Sequence, residues 1–170
     1  MCIRDRSTVR SFHDPFDGQA LKSQELILLL LDCAADPFLR SHFTPGHITC
    51  TGFVLAPDGE RILIVHHRRL DRWLLPGGHV EAEDVEIWDA ARREVIEETG
   101  AELVPDTAPR LVSMDVHGIP SNGREPYHLH QDVYKRQVEH VVQFDATRRT
   151  LPGLERLKTI FGNRDFPQGT

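Results

Sequence analysis

The stretch from Trp73 to Ala101, WLLPGGHVEAEDVEIWDAARREVIEETGA, constrains the chain more than any other. It sets a Pro-Gly-Gly turn, then an acidic run, then a helical pattern that stops at Gly100. Residues three and four apart share a helix face, so Glu94, Glu97 and Glu98 point the same way. Like charges so placed repel by about a few tenths of a kcal/mol per pair. A divalent cation among them would turn that repulsion into binding. The plainer alternative is a solvated acidic face.

At 170 residues the chain is the size of one domain with a proper core. A net charge of −6 and the lack of a basic run argue against tracking a nucleic-acid backbone. An acidic protein that binds phosphates needs metal ions or local arginines. Cys2, Cys33 and Cys50 are too few and scattered for a disulfide framework or a zinc knuckle, so a reducing, cytoplasmic setting is expected. The longest aliphatic run, Leu26 to Leu31, is far short of a membrane span and follows too acidic a leader for a signal peptide. It reads as a buried helix.

Two segments share an origin at the DNA level. Met1 to Arg6 and Asp132 to Gln137 can both be read, in different frames, from the string ATGTGTATAAGAGACAG. That string resembles a transposon end used in preparing sequencing libraries. Both segments are therefore set aside as assembly scars, and residues 138–170 read either as a different fragment or as the same gene with residues missing. The alternative is a real terminus and a real β-strand.

Along the chain, residues 7–20 read as a loop and Ser23 as the N-cap of a helix reaching about Ala35. Residues 7–46 thus form an extension with one helix. His47 to Ala56 and Arg61 to His67 read as strands joined by Pro57-Asp58-Gly59 into a hairpin. Trp73 to Leu75 is a short strand before the Gly-Gly turn. Asp84 is the expected N-cap of a helix ending at Thr99, anchored through Trp88, Ala91, Val95 and Thr99. Arg110 to His117 and Tyr127 to Gln131 read as strands. Val138 to Phe144 has strand character, and Leu151 to Phe161 looks helical.

At Gly78, Arg93, Glu94, Val95, Glu97, Glu98, Gly100 and Ala101 the chain resembles the Nudix hydrolase family. Its signature runs Gly, five residues, Glu, seven residues, then Arg-Glu-apolar-x-Glu-Glu-x-Gly-apolar. The second half matches throughout. In the first half Asp84 stands where the family has Glu, and eight residues rather than seven separate it from Arg93. One residue is thus inserted before the helix. The resemblance implies an α/β fold, a Nudix α/β/α sandwich with a mixed β-sheet, over residues 47–170, with the box at 78–101.

The resemblance also implies a pyrophosphohydrolase that cleaves a diphosphate linked to another moiety, often a nucleoside, with Mg²⁺ or Mn²⁺ as cofactor. Glu97 and Glu98 would be direct metal ligands, with the Gly77 carbonyl. Glu94 would be a ligand or the base that takes a proton from water. Arg93 would hold the carboxylates in place, and Asp84 would hold the loop through Arg93. A further acidic ligand or base from a later loop is expected but has no assigned position. Arg69, Arg72 and His79 are candidate substrate contacts, with loop decoration an equal reading for the arginines.

His128 and His130 share a strand face, with His117 opposite, either as a second metal site or as ordinary cleft histidines. Two other functions compete. An isoprenoid-diphosphate isomerase would want a core cysteine, and Cys50 is available, but its box is usually degenerate. A non-catalytic ligand-binding domain tends to lose the glutamates. The expected partner is a small diphosphate, with neither membrane nor nucleic acid involved. The oligomeric state is left open.

Overall fold

The computed structural model describes residues 2–14, 17–55, 61–103, 110–137 and 154–161. Its organising strand is β1 (Gly46–Val54). On one side β1 pairs antiparallel with the three-residue β4 (Gly77–His79), and on the other it runs parallel to β6 (His128–Gln137). β5 (Arg110–Ile119) closes this sheet antiparallel to β6, giving the order β4-β1-β6-β5. A second, antiparallel sheet places β2 (Arg61–His67) between β3 (Arg72–Leu74) and β7 (Leu154–Phe161). The expected α/β class with a mixed sheet is what the chain adopts.

Strand alternation sorts β1 into two faces. Ile48 and Cys50 join a core that draws in Val133 of β6, Met114 of β5, Ile27, Leu30 and Leu31 of helix α2 (Gly18–Cys33), and Ile87, Ala90 and Ala91 of helix α3 (Ile87–Thr99). His47, Thr49 and Thr51 are buried on the opposite face, and that face floors a cleft. The sequence thus gives β1 one apolar face for packing and one polar face for chemistry. Val95, fully buried, joins Val54, Leu63, Ala101 and Leu103 in a second cluster that ties α3 to β2. Truncating such a residue to Ala costs about 2–5 kcal/mol.

The chain begins with two helices where one was expected. α1 (Cys2–Ser11) includes most of the first suspected scar. It docks on α2 through an Arg6–Asp32 ion pair, and Gln24 Nε2 donates to the Val9 and Phe12 carbonyls at 2.7 and 3.0 Å. α2 starts at Gly18 because Asp17 caps it, accepting from Ala20 N at 2.8 Å. Ser23, the expected cap, is buried inside the helix.

Three further expectations change. Among the described residues β1 and β2 share one antiparallel bridge, Leu55 to Ile62, rather than a hairpin ladder, and each joins a different sheet. The Pro57-Asp58-Gly59 turn itself lies outside the described residues. The hairpin partner of β2 is β3, across a turn in which Asp71 takes a left-handed φ of 50°. Leu154–Phe161, read as helix, is strand β7, because β2 offers it a ladder that an isolated helical pattern cannot match. Val138 to Phe144 falls outside the described residues.

Candidate active site

α3 begins at Ile87, with Glu86 as its N-cap residue, and Glu86 N donates to Asp89 Oδ2 at 3.0 Å. Asp84 is therefore not the cap. Its anchoring face is Ile87, Ala90, Ala91, Val95 and Thr99, so Ile87 and Ala90 do the work expected of Trp88, which is half-buried. The helix stops where Gly100 turns to φ 65°, a left-handed conformation that glycine adopts without a Cβ penalty.

Freed from capping, Asp84 faces Arg93. Arg93 Nη2 donates to Asp84 Oδ2 at 2.9 Å and Nε to Oδ1 at 3.3 Å, while Asp84 Oδ2 also accepts from Glu81 N at 2.8 Å. The Asp84 side chain is only 6% exposed, and the forked contact keeps Arg93 firmly charged. The same guanidinium donates to the His79 carbonyl at 2.9 Å, to Glu94 Oε1 at 3.0 Å and to Glu97 Oε2 at 3.3 Å. Arg93 is the hub that binds the loop, β4 and the glutamates together.

The glutamates meet β4 where it has no side chains. Glu98 Oε2 accepts from Gly77 N at 3.0 Å. A Cβ on Gly78 would lie 2.6 Å from Glu94 Oε1, so the turn is glycine because the carboxylate fills the space. Burial pushes the Glu98 carboxyl up to about 7, with the neighbouring Glu94 and Glu97 charges adding to it. Burial also raises Glu94, against the pull of Arg93. Glu97 is exposed.

Glu94 and Glu98 form one wall of a cleft of about 990 Å³, and Glu97 is not among its lining residues; the volume is within the range of small-ligand sites. Arg69 and His79 line it, and Arg72, exposed on β3, is not among its lining residues. His67, Trp73, Leu74 and Leu75 line it from the second sheet and the segment that follows β3. Ile119 and Pro120 line it at the end of β5.

Sequence reasoning missed Asp132 as a site residue because it begins a suspected scar. β6 runs without interruption through residues 132–137, and Asp132 faces the cleft floor. Thr51 Oγ1 donates to its two oxygens at 2.9 and 3.0 Å, and burial pushes its carboxyl up to about 6. The signal was the alternation His128-x-His130-x-Asp132, matched on β1 by His47-x-Thr49-x-Thr51.

The histidines converge rather than scatter. His47 of β1 stands opposite His130 of β6, and His117 of β5 opposite the same His130. The rings of His47, His79 and His130 lie with centroids 4.9 to 5.3 Å apart. Burial lowers all three, His79 to about 4 and His130 to about 3, so they are neutral at pH 7. Cys50 is a buried thiol pushed well above its usual range, its Sγ 3.5 Å from the Gly78 carbonyl. That is the reverse of an activated thiolate.

A family model described as NUDIX domain matches residues 46–155. No curated relative matches the sequence. Among solved structures, MutT from Bacillus halodurans is 21% identical, with 67% of each chain covered and a TM-score of 0.49. A MutT NUDIX hydrolase from Burkholderia pseudomallei is 24% identical, covering 72% of this chain and 87% of that one, with a TM-score of 0.49. The NUDIX domain of Shewanella oneidensis NrtR complexed with ADP ribose is 17% identical, covering 67% and 71%, with a TM-score of 0.43.

Proposed function

Because this chain belongs to the NUDIX domain family of pyrophosphohydrolases, we propose that it hydrolyses the diphosphate link between a nucleoside and another moiety, with Mg²⁺ or Mn²⁺. The observation that carries this reading is the seating of Glu94 and Glu98 against Gly77 and Gly78, under Arg93, on the wall of the cleft.

The donor set fits a hard dication. Glu94, Glu97 and Glu98 offer carboxylate oxygens, and the Gly77 carbonyl would be a fourth donor. Burial is the main cause of the raised proton affinity of Glu98 and Glu94, the neighbouring carboxylates add to it, and a bound dication would offset both. When bound, such an ion supplies neutralising charge for the diphosphate and a more acidic water.

The protein's own residues do the rest. Arg93 fixes Glu94 at Oε1 and leaves its second oxygen to act on a proton. Half-buried and raised in proton affinity, Glu94 suits the role of general base. Asp132, raised to about 6 and oriented by Thr51, is our candidate for the further acidic group that the resemblance implies, on a strand rather than a later loop. Arg69 offers the cleft a positive charge for a phosphate, and Trp73, Ile119 and Pro120 an apolar surface for the rest of the substrate. ADP ribose, the ligand of the NrtR domain, is one compound of this class. The buried, unactivated Cys50 gives the isomerase reading no support.

A panel of nucleoside diphosphate derivatives incubated with Mg²⁺ tests the proposal. Wild type should release phosphate-containing products, and Glu97→Gln should lower the rate by roughly 100-fold or more, as expected when a group stabilising developing charge is lost. An unchanged rate in Glu97→Gln overturns the metal assignment, and no turnover of any compound overturns the hydrolase reading.

A further inference from the structure

We infer that His47, His79 and His130 form a second metal site, of three imidazoles, for a borderline transition-metal dication such as Zn²⁺. Three strands build it: β1, β4 and β6 each contribute one side chain, and one ring nitrogen from each lies within 4.8 Å of the others. Three nitrogens bonded at about 2.0–2.1 Å to one tetrahedral ion lie roughly 3.3–3.4 Å apart, so the rings draw together by up to about 1.4 Å on binding.

The second observation is the state of His47. Its side chain is fully buried. Nδ1 lies 3.3 Å from the His42 carbonyl, which as acceptor fixes the proton on that nitrogen. Nε2 is left as a bare lone pair, buried and without a hydrogen-bond partner. A buried acceptor in that condition forfeits its hydration with nothing in exchange. An N–H held by a backbone carbonyl with the opposite nitrogen turned inward is how metal-bound histidines are oriented. Phe43 and His128 pack beside the ring and hold it in place.

The two sites differ in chemistry. Carboxylate and carbonyl oxygens suit Mg²⁺ or Mn²⁺, whereas neutral imidazoles suit zinc, nickel, copper or iron and are poor partners for Mg²⁺. They also share a strand: Gly77 and Gly78 meet the glutamates, and His79 is the next residue on β4. All three histidines line the cleft. Three protein ligands leave a fourth tetrahedral position, and in this cleft it is open to water or to a substrate oxygen.

Metal titration of the full chain tests this without reference to turnover. Chelator-stripped protein is titrated with Zn²⁺ against a chromophoric chelator, and with Co²⁺ while its visible d–d bands are recorded. Wild type and Glu98→Gln should each show tetrahedral nitrogen-type Co²⁺ bands that saturate at one equivalent, whatever weaker binding the carboxylates add in wild type. His130→Gln and His79→Gln should weaken binding by more than the roughly 10–100-fold that loss of an outer-shell partner costs. Circular dichroism identifies which variants are folded, and either folded variant suffices. Absence of a stoichiometric site in wild type overturns the inference. So does a site that survives both histidine substitutions or disappears in Glu98→Gln.

Discussion

Arg93 grips Asp84 with two guanidinium nitrogens, at 2.9 and 3.3 Å, and holds Glu94 with a third at 3.0 Å. One side chain thereby joins the loop before α3 to the carboxylates on it. Asp84, where the signature has Glu, reaches that guanidinium across a loop with one extra residue. Asp84→Ala should therefore remove a nearly buried partner and leave Arg93 under-compensated, costing about 2–4 kcal/mol in urea unfolding. Asp84→Glu should not match wild-type stability, because the loop already carries one residue more than the signature and the longer side chain would overshoot Arg93. Equal stability of wild type and Asp84→Ala would show the pair to be solvated.

The Glu98 contribution to the stability of metal-free protein should fall as pH rises from about 4.5 to about 7. Glu98 holds its proton up to about 7 in the folded chain, against 4.5 as its ordinary value. At that group the folded state binds more protons than the unfolded state in this window, so its contribution is lost with rising pH. Asp132, raised to about 6, acts in the same direction, whereas His79 and His130, lowered from 6.5 to about 4 and about 3, act in the other. The melting temperature of wild type minus that of Glu98→Gln, both in chelator, isolates the Glu98 part and should fall from pH 5 to pH 7. A difference that stays level or grows across the window would contradict the burial argument.

What could be read in advance follows the range of the interactions. The glutamate face, Gly100 as the helix stop and the Asp84–Arg93 link are set by residues within one helix and its loop. Periodicity and charge report such contacts. Sheet partners are not local. The Pro57-Asp58-Gly59 turn invites a hairpin, yet β1 takes β4 and β6 as neighbours, and β2 takes β3 and β7. The spacing of Leu154, Leu157 and Phe161 suits a helix, but the free edge of β2 decides otherwise. The histidine trio needs residues 47, 79 and 130 on three strands, which no window of sequence contains. Asp132 was hidden for another reason, since a segment set aside as foreign is not searched for chemistry.

Gly77 and Gly78 should respond differently to the same methyl group. A Cβ at Gly78 meets the flexible end of Glu94, at 2.6 Å from Oε1. Gly78→Ala should therefore keep a melting temperature within a few degrees of wild type while displacing a carboxylate, with turnover reduced by roughly 100-fold, the scale of misplaced catalytic geometry. A Cβ at Gly77 meets the Cys50 carbonyl at 2.4 Å, and that is strand backbone. Gly77→Ala should lower the melting temperature itself. Equal effects on stability would mean that the glutamate is not what fills the Gly78 side.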